Sequence, residues 1–129
     1  STGIMVHEHV VIDGPKIKKN DTPVKVLFFL KRNPALAAER FRETWLAAGA
    51  PLLKGNKHLM RLVKSTTVPE TYVDGEALYD GVEELWWASE ADYKKDTRGT
   101  LSKTEREALL DLNATTGMFV DENRVVWPN

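Results

Sequence analysis

The stretch VKVLFFLKRNPALAAERFRETWLAAG, residues 24–49, decides the fold of this 129-residue chain. Its first part, VKVLFFLK, is rich in β-branched and aromatic side chains and is apolar on both alternating faces. This pattern is typical of a strand that is covered on two sides. Asn33 and Pro34 then match a helix N-cap and a proline at the first helical position, so we expect a helix to begin there.

Four residues of the predicted helix share one face: Ala37, Phe41, Trp45 and Ala48. They follow one another at spacings of four, four and three residues, which match the period of an amphipathic helix. Gly49 provides a stop signal directly after them. The sequence therefore predicts a helix with one apolar face.

Three further strands are expected downstream. Residues 58–65 and 79–89 predict two of them, and residues 117–128 predict a final strand that turns near Asp121. The intervening residues 66–78 contain the turn signals Pro69 and Asp74-Gly75 and predict a loop.

Two serines mark the starts of short helices. Ser89 precedes Asp92, and Ser102 precedes Glu105, at the spacing of a capping box. The element order β-α-β-loop-β-α-α-β suits an α+β fold, with a ferredoxin-like antiparallel sheet and helices on one face. Because the second face of such a sheet would be bare and apolar, we expect dimerisation to cover it.

Length and composition fit one such domain. We assign residues 1–23 to an N-terminal arm and linker and residues 24–129 to a single domain. The net charge of −1 provides no field that favours nucleic acid or an anionic membrane. The chain has no cysteine, no apolar run of the roughly 18 residues that span a bilayer, and no signal-peptide pattern. We therefore expect a soluble cytoplasmic protein.

Several segments together resemble a known family. VLFFLKRNPALAAERFRETWL, then Pro51 and Leu52, then YDGVEELWWASEADY and FVDENRVVW are similar in order and spacing to the EthD-like branch of the dimeric α+β barrel proteins. The resemblance covers about residues 24–127. It implies a homodimer whose two sheets pack face to face into a barrel, with a mostly apolar pocket between the sheet and the helices of each subunit. It also implies a cofactor-independent enzyme of aromatic or polyketide-like compounds.

The chain departs from the family pattern at its histidines. The family helix commonly reads Phe-Arg-x-His-Trp-x-x-x-His-Gly-Pro-Leu, whereas this chain has Thr44 and Gly49 at the two histidine positions. A hydroxyl group without an activating partner is not a base near neutral pH, and glycine has no side chain. The imidazole chemistry of the family therefore does not transfer to these positions.

Glu84 is the principal catalytic candidate, because it stands at the position of the family's strand glutamate. Strand alternation puts Glu83 on the opposite face, so that one of the two glutamates must face inward. An apolar setting lined by tryptophan favours a carboxyl group that exchanges protons near neutral pH. The alternative is an ion pair with a cation on a neighbouring strand, Arg61 or Lys25.

His58 and Tyr79 are the complementary catalytic candidates. His58 follows the missing family histidine by a few residues, so a shift of the loop would return an imidazole to a similar place. The alternative is a solvated loop histidine. The Tyr79 phenol would donate a hydrogen bond to an enolate or carbonyl oxygen, whereas Asp80-Gly81 predicts a turn.

Four aromatic residues are candidates for substrate binding: Trp45, Trp86, Phe28 and Phe41. Flat apolar side chains on the helix and the strands would suit an aromatic ligand. The alternative is that they belong to the core or to the dimer interface, as we expect for Trp127.

His7 and His9 lie two residues apart in the segment HEH. Two potential ligands are too few for a metal site, and the chain contains no Walker, Rossmann or zincin motif. We therefore expect no metal and no cofactor. The segment fits an exposed edge strand or, alternatively, an arm that crosses the dimer and covers a pocket.

The residues and the resemblance together predict a small cofactor-independent lyase or isomerase. It would dehydrate, decarboxylate or cyclise a hydroxylated aromatic or polyketide-like compound, with Glu84 transferring a proton. One alternative is a cofactor-free monooxygenase on the same class of substrate. The other is a non-catalytic ligand-binding dimer, which the missing histidines favour.

Overall fold

The computed structural model describes residues 6–14, 22–49, 53–67, 79–120 and 125–126. Its strands are β1 (Val6–Asp13), β2 (Val24–Leu30), β3 (Leu59–Thr67), β4 (Gly81–Trp87), β5 (Thr116–Val120) and β6 (Val125–Val126). Its helices are α1 (Ala38–Ala47), α2 (Glu90–Lys95) and α3 (Lys103–Leu109). The element order predicted for residues 24–120 is confirmed. Some residues named in the sequence analysis lie outside the described residues. They are Pro69 and Asp74 of the predicted loop, the Pro51-Leu52 pair and Trp127.

One antiparallel sheet contains the strands in the order β1-β3-β4-β2-β5-β6. Strand β4 lies between β2 and β3, so the connection through α1 passes over one strand. The order β3-β4-β2-β5 with two helical connections is compatible with the ferredoxin-like arrangement. The predicted α+β class is confirmed, and β1 and β6 extend the sheet at its two edges.

Residues 6–14, which the sequence assigned to an arm, are part of this sheet. Strand β1 pairs with β3 from Val6 opposite Thr67 to Asp13 opposite Arg61. The register shifts after Val10, whose side chain is 49% exposed. The segment is therefore an exposed edge strand, which was one of the two alternatives for it.

Helix α1 begins at Ala38 instead of Pro34. Asn33 caps a preceding turn, because its side-chain oxygen accepts from the N–H of Ala35 over 3.0 Å. The backbone of residues 31–33 is bonded to residues 109–111, with a bridge between Arg32 and Leu110, and this pairing holds it extended. No described helix is long and apolar enough to cross a membrane.

The two serine caps begin α2 and α3 as predicted. Ser89 accepts from the N–H of Asp92 over 3.1 Å. Ser102 and Glu105 form the complete reciprocal capping box. These local signals fix where both short helices start, because each satisfies backbone donors that the helix leaves free.

The core lies between the sheet and the helices in two apolar clusters. Tyr93 of α2 packs on the cluster of Val24, Val26, Leu59, Leu62, Leu85, Trp87 and Phe119. The second cluster joins α1 and α3 to the end of β2 and consists of Leu30, Phe41, Trp45, Leu101, Leu109 and Leu110. Each described helix thus packs on the same face of the sheet.

The opposite sheet face, here called the second face, is half-buried and largely apolar. The register places Leu27 of β2 between Glu84 of β4 and Met118 of β5, and it pairs Phe29 with Val82. In the part of the chain that the structure describes, no helix packs on this face. The helices of the described residues thus pack on the other face of the sheet.

Gly81 allows α1 to approach the sheet closely. A Cβ atom at residue 81 would lie 2.6 Å from the ring of Trp45, whereas nothing lies within 4 Å of one built at Gly99. We predict that Gly81→Ala lowers the free energy of unfolding by about 1–3 kcal/mol, because Trp45 must shift in a close-packed core. Urea unfolding measures this, with Gly99→Ala as the matched control. Equal effects of the two substitutions would contradict the packing argument.

Candidate functional site

A cavity of about 260 Å³ lies between the sheet and α3. The strands β2, β4 and β5 form one wall, and the loop before α3, α3 itself and the segment after it form the other. Its lining is mostly apolar but includes one carboxylate and one guanidinium. The lining side chains include Phe28, Leu30, Glu83, Leu101, Arg106 and Leu112.

Glu83 brings its carboxylate to the wall of the cavity. It shares the helix-facing side of β4 with Leu85 and Trp87 and is only 2% exposed. Trp45 Nε1 donates to Glu83 Oε1 over 3.1 Å, and the Thr100 hydroxyl donates to Oε2. Each carboxylate oxygen has two lone pairs, so both oxygens keep the capacity to accept from a ligand.

Lys64 supplies positive charge beside this carboxylate. It pairs with Glu83 across the β3–β4 ladder and is 2% exposed. Its Nζ donates to the carbonyl oxygens of Trp45 over 2.8 Å and Ala48 over 3.1 Å, at the end of α1. Burial lowers the pKa of Lys64 from its usual 10.5, although the negative charges of Glu83 and Glu105 oppose the shift. Lys64 therefore both caps α1 and compensates the charge of Glu83.

The second histidine position of the family pattern is sterically closed in this chain. Gly49 has a φ angle of 90°, and a Cβ atom there would lie 2.1 Å from the carbonyl oxygen of Thr100. Its N–H donates to Glu105 Oε2 over 3.0 Å. The hydrogen bond from the Ser102 N–H has the largest effect on the pKa of Glu105 and lowers it. The bond from the Gly49 N–H lowers this pKa further, whereas partial burial opposes the shift. No side chain fits at residue 49, so any chemistry in the cavity is independent of an imidazole there.

Arg106 carries the second charge of the cavity. It lies near the end of α3, is solvent-exposed and lines the cavity. Among the described residues, no carboxylate forms an ion pair with it. A guanidinium in this state is able to bind an anion, while the buried carboxylate of Glu83 is able to accept a proton from a bound molecule.

Glu84, the predicted base, lies on the second face. Its carboxylate accepts a hydrogen bond from Trp86 Nε1 on the same strand. The cations considered as its partners are engaged elsewhere, since Arg61 pairs with Asp13 at 2.7 Å and Lys25 lies 4.8 Å from the centre of the Trp86 ring. Strand alternation required one glutamate to face inward, and that residue is Glu83.

His58 has a partner that the sequence did not indicate. Its Nδ1 lies 2.7 Å from Oδ1 of Asp96, and its backbone N–H donates to Oδ2 over 3.0 Å. Trp87 Nε1 donates to the same Oδ2 over 2.7 Å. The side chain of His58 is 40% exposed, whereas that of Asp96 is 2% exposed. His58 is therefore an oriented surface histidine, held by a buried aspartate.

The structure does not bring Glu84, His58 and Tyr79 together. His58 precedes Leu59, which pairs with Trp87 at the last position of β4, whereas Tyr79 precedes the first position of that strand. A strand of seven residues is about 20 Å long. Tyr79 is half-buried, with its ring 5.3 Å from that of Phe29 on the second face. One small substrate cannot contact all three candidates.

The aromatic candidates for substrate binding also occupy different places. Phe28 lines the cavity. Phe41 and Trp45 are 1% and 0% exposed and stack on each other in the core, with ring centres 5.6 Å apart. Trp86 lies on the second face opposite Lys25. Of the four, Phe28 is placed to contact a ligand in the cavity.

Asp80 is more than a turn residue. It is 5% exposed, accepts from the backbone N–H of Arg32 over 3.0 Å and lies 3.4 Å from Lys31 Nζ. This buried carboxylate therefore fixes the end of β2 to the start of β4.

No group of three or more metal-ligating side chains occurs among the described residues. His9 is exposed on β1 opposite Lys64, and His7 pairs with Thr66 through its backbone. The segment HEH thus contributes to the edge strand.

Glu83, Lys64, Arg106 and Asp96 are the site residues that the sequence reasoning missed or left undecided. Alternation along β4 offered Glu83 as one of two choices, but each face of that strand carries a tryptophan, so the pattern could not select it. The lysine and the aspartate depend on contacts 16 to 38 residues away in the chain, for which no local signal exists.

Neither a family model nor a curated protein matches this chain. The EthD-like resemblance therefore stays a proposal.

Asp96 should make folding dependent on pH. Burial alone would raise the pKa of Asp96, but hydrogen bonds from Trp87 and His58 and the charge of His58 lower it below its usual 3.8. We predict that Asp96→Asn lowers the free energy of unfolding by about 1–3 kcal/mol at neutral pH. Because the folded-state pKa is the lower one, this contribution is present above pH 3.8 and disappears as the pH falls through the folded-state value.

Urea unfolding at several pH values tests this prediction. The exposed Asp13→Asn serves as the control, since the side chain of Asp13 is 71% exposed and should contribute little. A difference between wild type and Asp96→Asn that stays constant below pH 3.8 would contradict the proposed hydrogen-bonded carboxylate.

Proposed function

We propose that this protein is a small cofactor-independent lyase or isomerase. It would act by proton transfer on a hydroxylated aromatic or polyketide-like compound bound in the cavity between the sheet and the helices. The inward-facing Glu83 would take the role of acid and base that the sequence analysis gave to Glu84.

The observation that supports this proposal is the position of Glu83. A buried carboxylate at the wall of a mostly apolar cavity is placed to abstract a proton from a bound molecule. The donors Trp45 and Thr100 and the nearby Lys64 hold it in one orientation. Such fixed dipoles and charges need little reorganisation when charge moves during a reaction.

We also propose that the second faces of two copies pack against each other, as in the dimeric α+β barrel proteins. Leu27, Phe29, Val82 and Met118 give this face an apolar centre. An apolar area of this kind is unfavourable in water, and an identical copy offers a face of the same shape.

A non-catalytic ligand-binding protein is the second candidate function. It is favoured by the two hydrogen bonds that Glu83 already accepts within the protein, since a structural carboxylate has the same partners. This candidate predicts that a ligand binds in the cavity and leaves unchanged.

Two adjacent glutamates provide a matched pair for testing the catalytic role. We predict that Glu83→Gln lowers turnover about 100-fold or more, as expected for loss of a general base, while Glu84→Gln retains nearly full activity. The measurement is product formation by mass spectrometry from hydroxylated aromatic and polyketide-like compounds. Thermal unfolding of both variants distinguishes lost chemistry from lost folding. Activity that is lost in Glu84→Gln and kept in Glu83→Gln would exclude Glu83 as the base.

The same assay separates the reaction classes when it is run with and without oxygen. Loss of water or carbon dioxide, or an isomer of unchanged mass, supports the lyase or isomerase. A product that gains oxygen and requires it would replace this proposal by the cofactor-free monooxygenase. Ligand that is bound and recovered unchanged would favour the binding protein.

Substitution of the second face tests the dimer. We predict that Leu27→Lys converts a dimer into a folded monomer, because a charge at the centre of a buried apolar interface is strongly unfavourable. Sedimentation velocity gives the mass and circular dichroism gives the folding. Thr44→Lys, at an exposed position of α1, is the control and should stay dimeric. A wild-type protein that sediments as a monomer would contradict the proposed assembly.

A further inference from the structure

We infer that the cavity takes a compound with one aromatic ring that carries both a carboxylate and a hydroxyl group. The carboxylate would bind Arg106, and the hydroxyl would donate to Glu83. This inference rests on the proposed function, because it names the substrate class of the same cavity.

The volume of the cavity sets the size of the ligand. A closed apolar cavity of about 150 Å³ is enough to hold benzene. The cavity here measures about 260 Å³, which leaves room for one ring with two small substituents. A single-ring aromatic compound of this kind therefore fits the cavity.

Arg106 defines the point at which the carboxylate would bind. The guanidinium is exposed and, within the described residues, has no carboxylate partner. Arginine binds a carboxylate through two parallel hydrogen bonds, which lysine does not reproduce. Leu112 also lines the cavity although 54% of it is exposed. A ligand in the cavity would contact this leucine.

Glu83 defines the point at which the hydroxyl would bind, because a second negative charge beside its carboxylate would be repelled. A hydroxyl group instead donates to an oxygen that still has a free lone pair after bonding to Trp45 or Thr100. The opposite charges of Arg106 and Glu83 thus give the ligand one direction in the cavity. A cationic ligand would not bind in this arrangement, since the guanidinium of Arg106 would repel it.

Titration calorimetry with three probes tests the inference: 4-hydroxybenzoate, its methyl ester and benzoate. We expect the wild type to bind 4-hydroxybenzoate about tenfold or more tightly than the uncharged ester, which is the size of effect expected for a charge-assisted hydrogen bond. This preference should disappear in Arg106→Gln and persist in Arg40→Gln, at an exposed position of α1. Benzoate, which lacks the hydroxyl, should bind the wild type more weakly than 4-hydroxybenzoate does. The two compounds should bind Glu83→Ala equally tightly.

Three results would overturn the inference: equal binding of acid and ester to the wild type, a preference for the acid that survives in Arg106→Gln, or no binding of any probe. The binding data are independent of turnover. Turnover of an uncharged compound that is lost in Glu83→Gln would uphold the proposed enzyme and overturn the inferred substrate class. The expected binding pattern without turnover of any compound would uphold the ligand class and favour the binding protein over the enzyme.

Discussion

The hydrogen bond from Trp45 to Glu83 is the contact on which the rest of this structure depends. It joins α1 to the central strand β4 at a point where both residues are almost fully buried. A buried carboxylate is unfavourable unless donors and positive charge compensate it, and removing one partner of such a group is costly. Thr100 and Lys64 provide the remaining compensation. The tryptophan is therefore required for its N–H group as well as for its apolar ring.

The same network fixes the cavity. Lys64 holds the last turn of α1 through two carbonyl oxygens, and Glu105 of α3 binds the N–H of Gly49 directly after that turn. Thr100 belongs to the loop that leads into α3 and bonds to Glu83. The strand, α1 and the loop are thus tied to the carboxylate of Glu83, and Glu105 ties α3 to the end of α1. A rearrangement of any of them would alter the orientation of the Glu83 carboxylate, so the interactions that stabilise the core also position the group that we propose for catalysis.

Local signals predicted the elements well, and long-range contacts explain the failures. The Ser102 and Glu105 spacing located the start of α3, and the burial of Phe41 and Trp45 follows from their spacing on α1. The start of α1 was placed too early because Asn33 bonds to Leu109, a partner that only the folded sheet provides. Which of Glu83 and Glu84 faces the helices could not be predicted from the sequence for a similar reason. The two faces of β4 are equally aromatic, and what separates them is the close approach of Trp45 to a glycine on one face.

The two adjacent glutamates consequently lie in two different environments. Glu83 faces the helices, where a closed network holds its charge and a cavity gives a ligand access to it. Glu84 faces the second surface of the sheet, where its partner is the indole of Trp86. If a second copy covers that surface, Glu84 would be buried in an interface and would need its hydrogen bond for the same physical reason that Glu83 needs its own. The surroundings of a carboxylate in this fold are therefore set by the strand face it occupies. A glycine at residue 49 is compatible with the acid–base site that we propose, because that site would be built on the sheet and not on the end of α1.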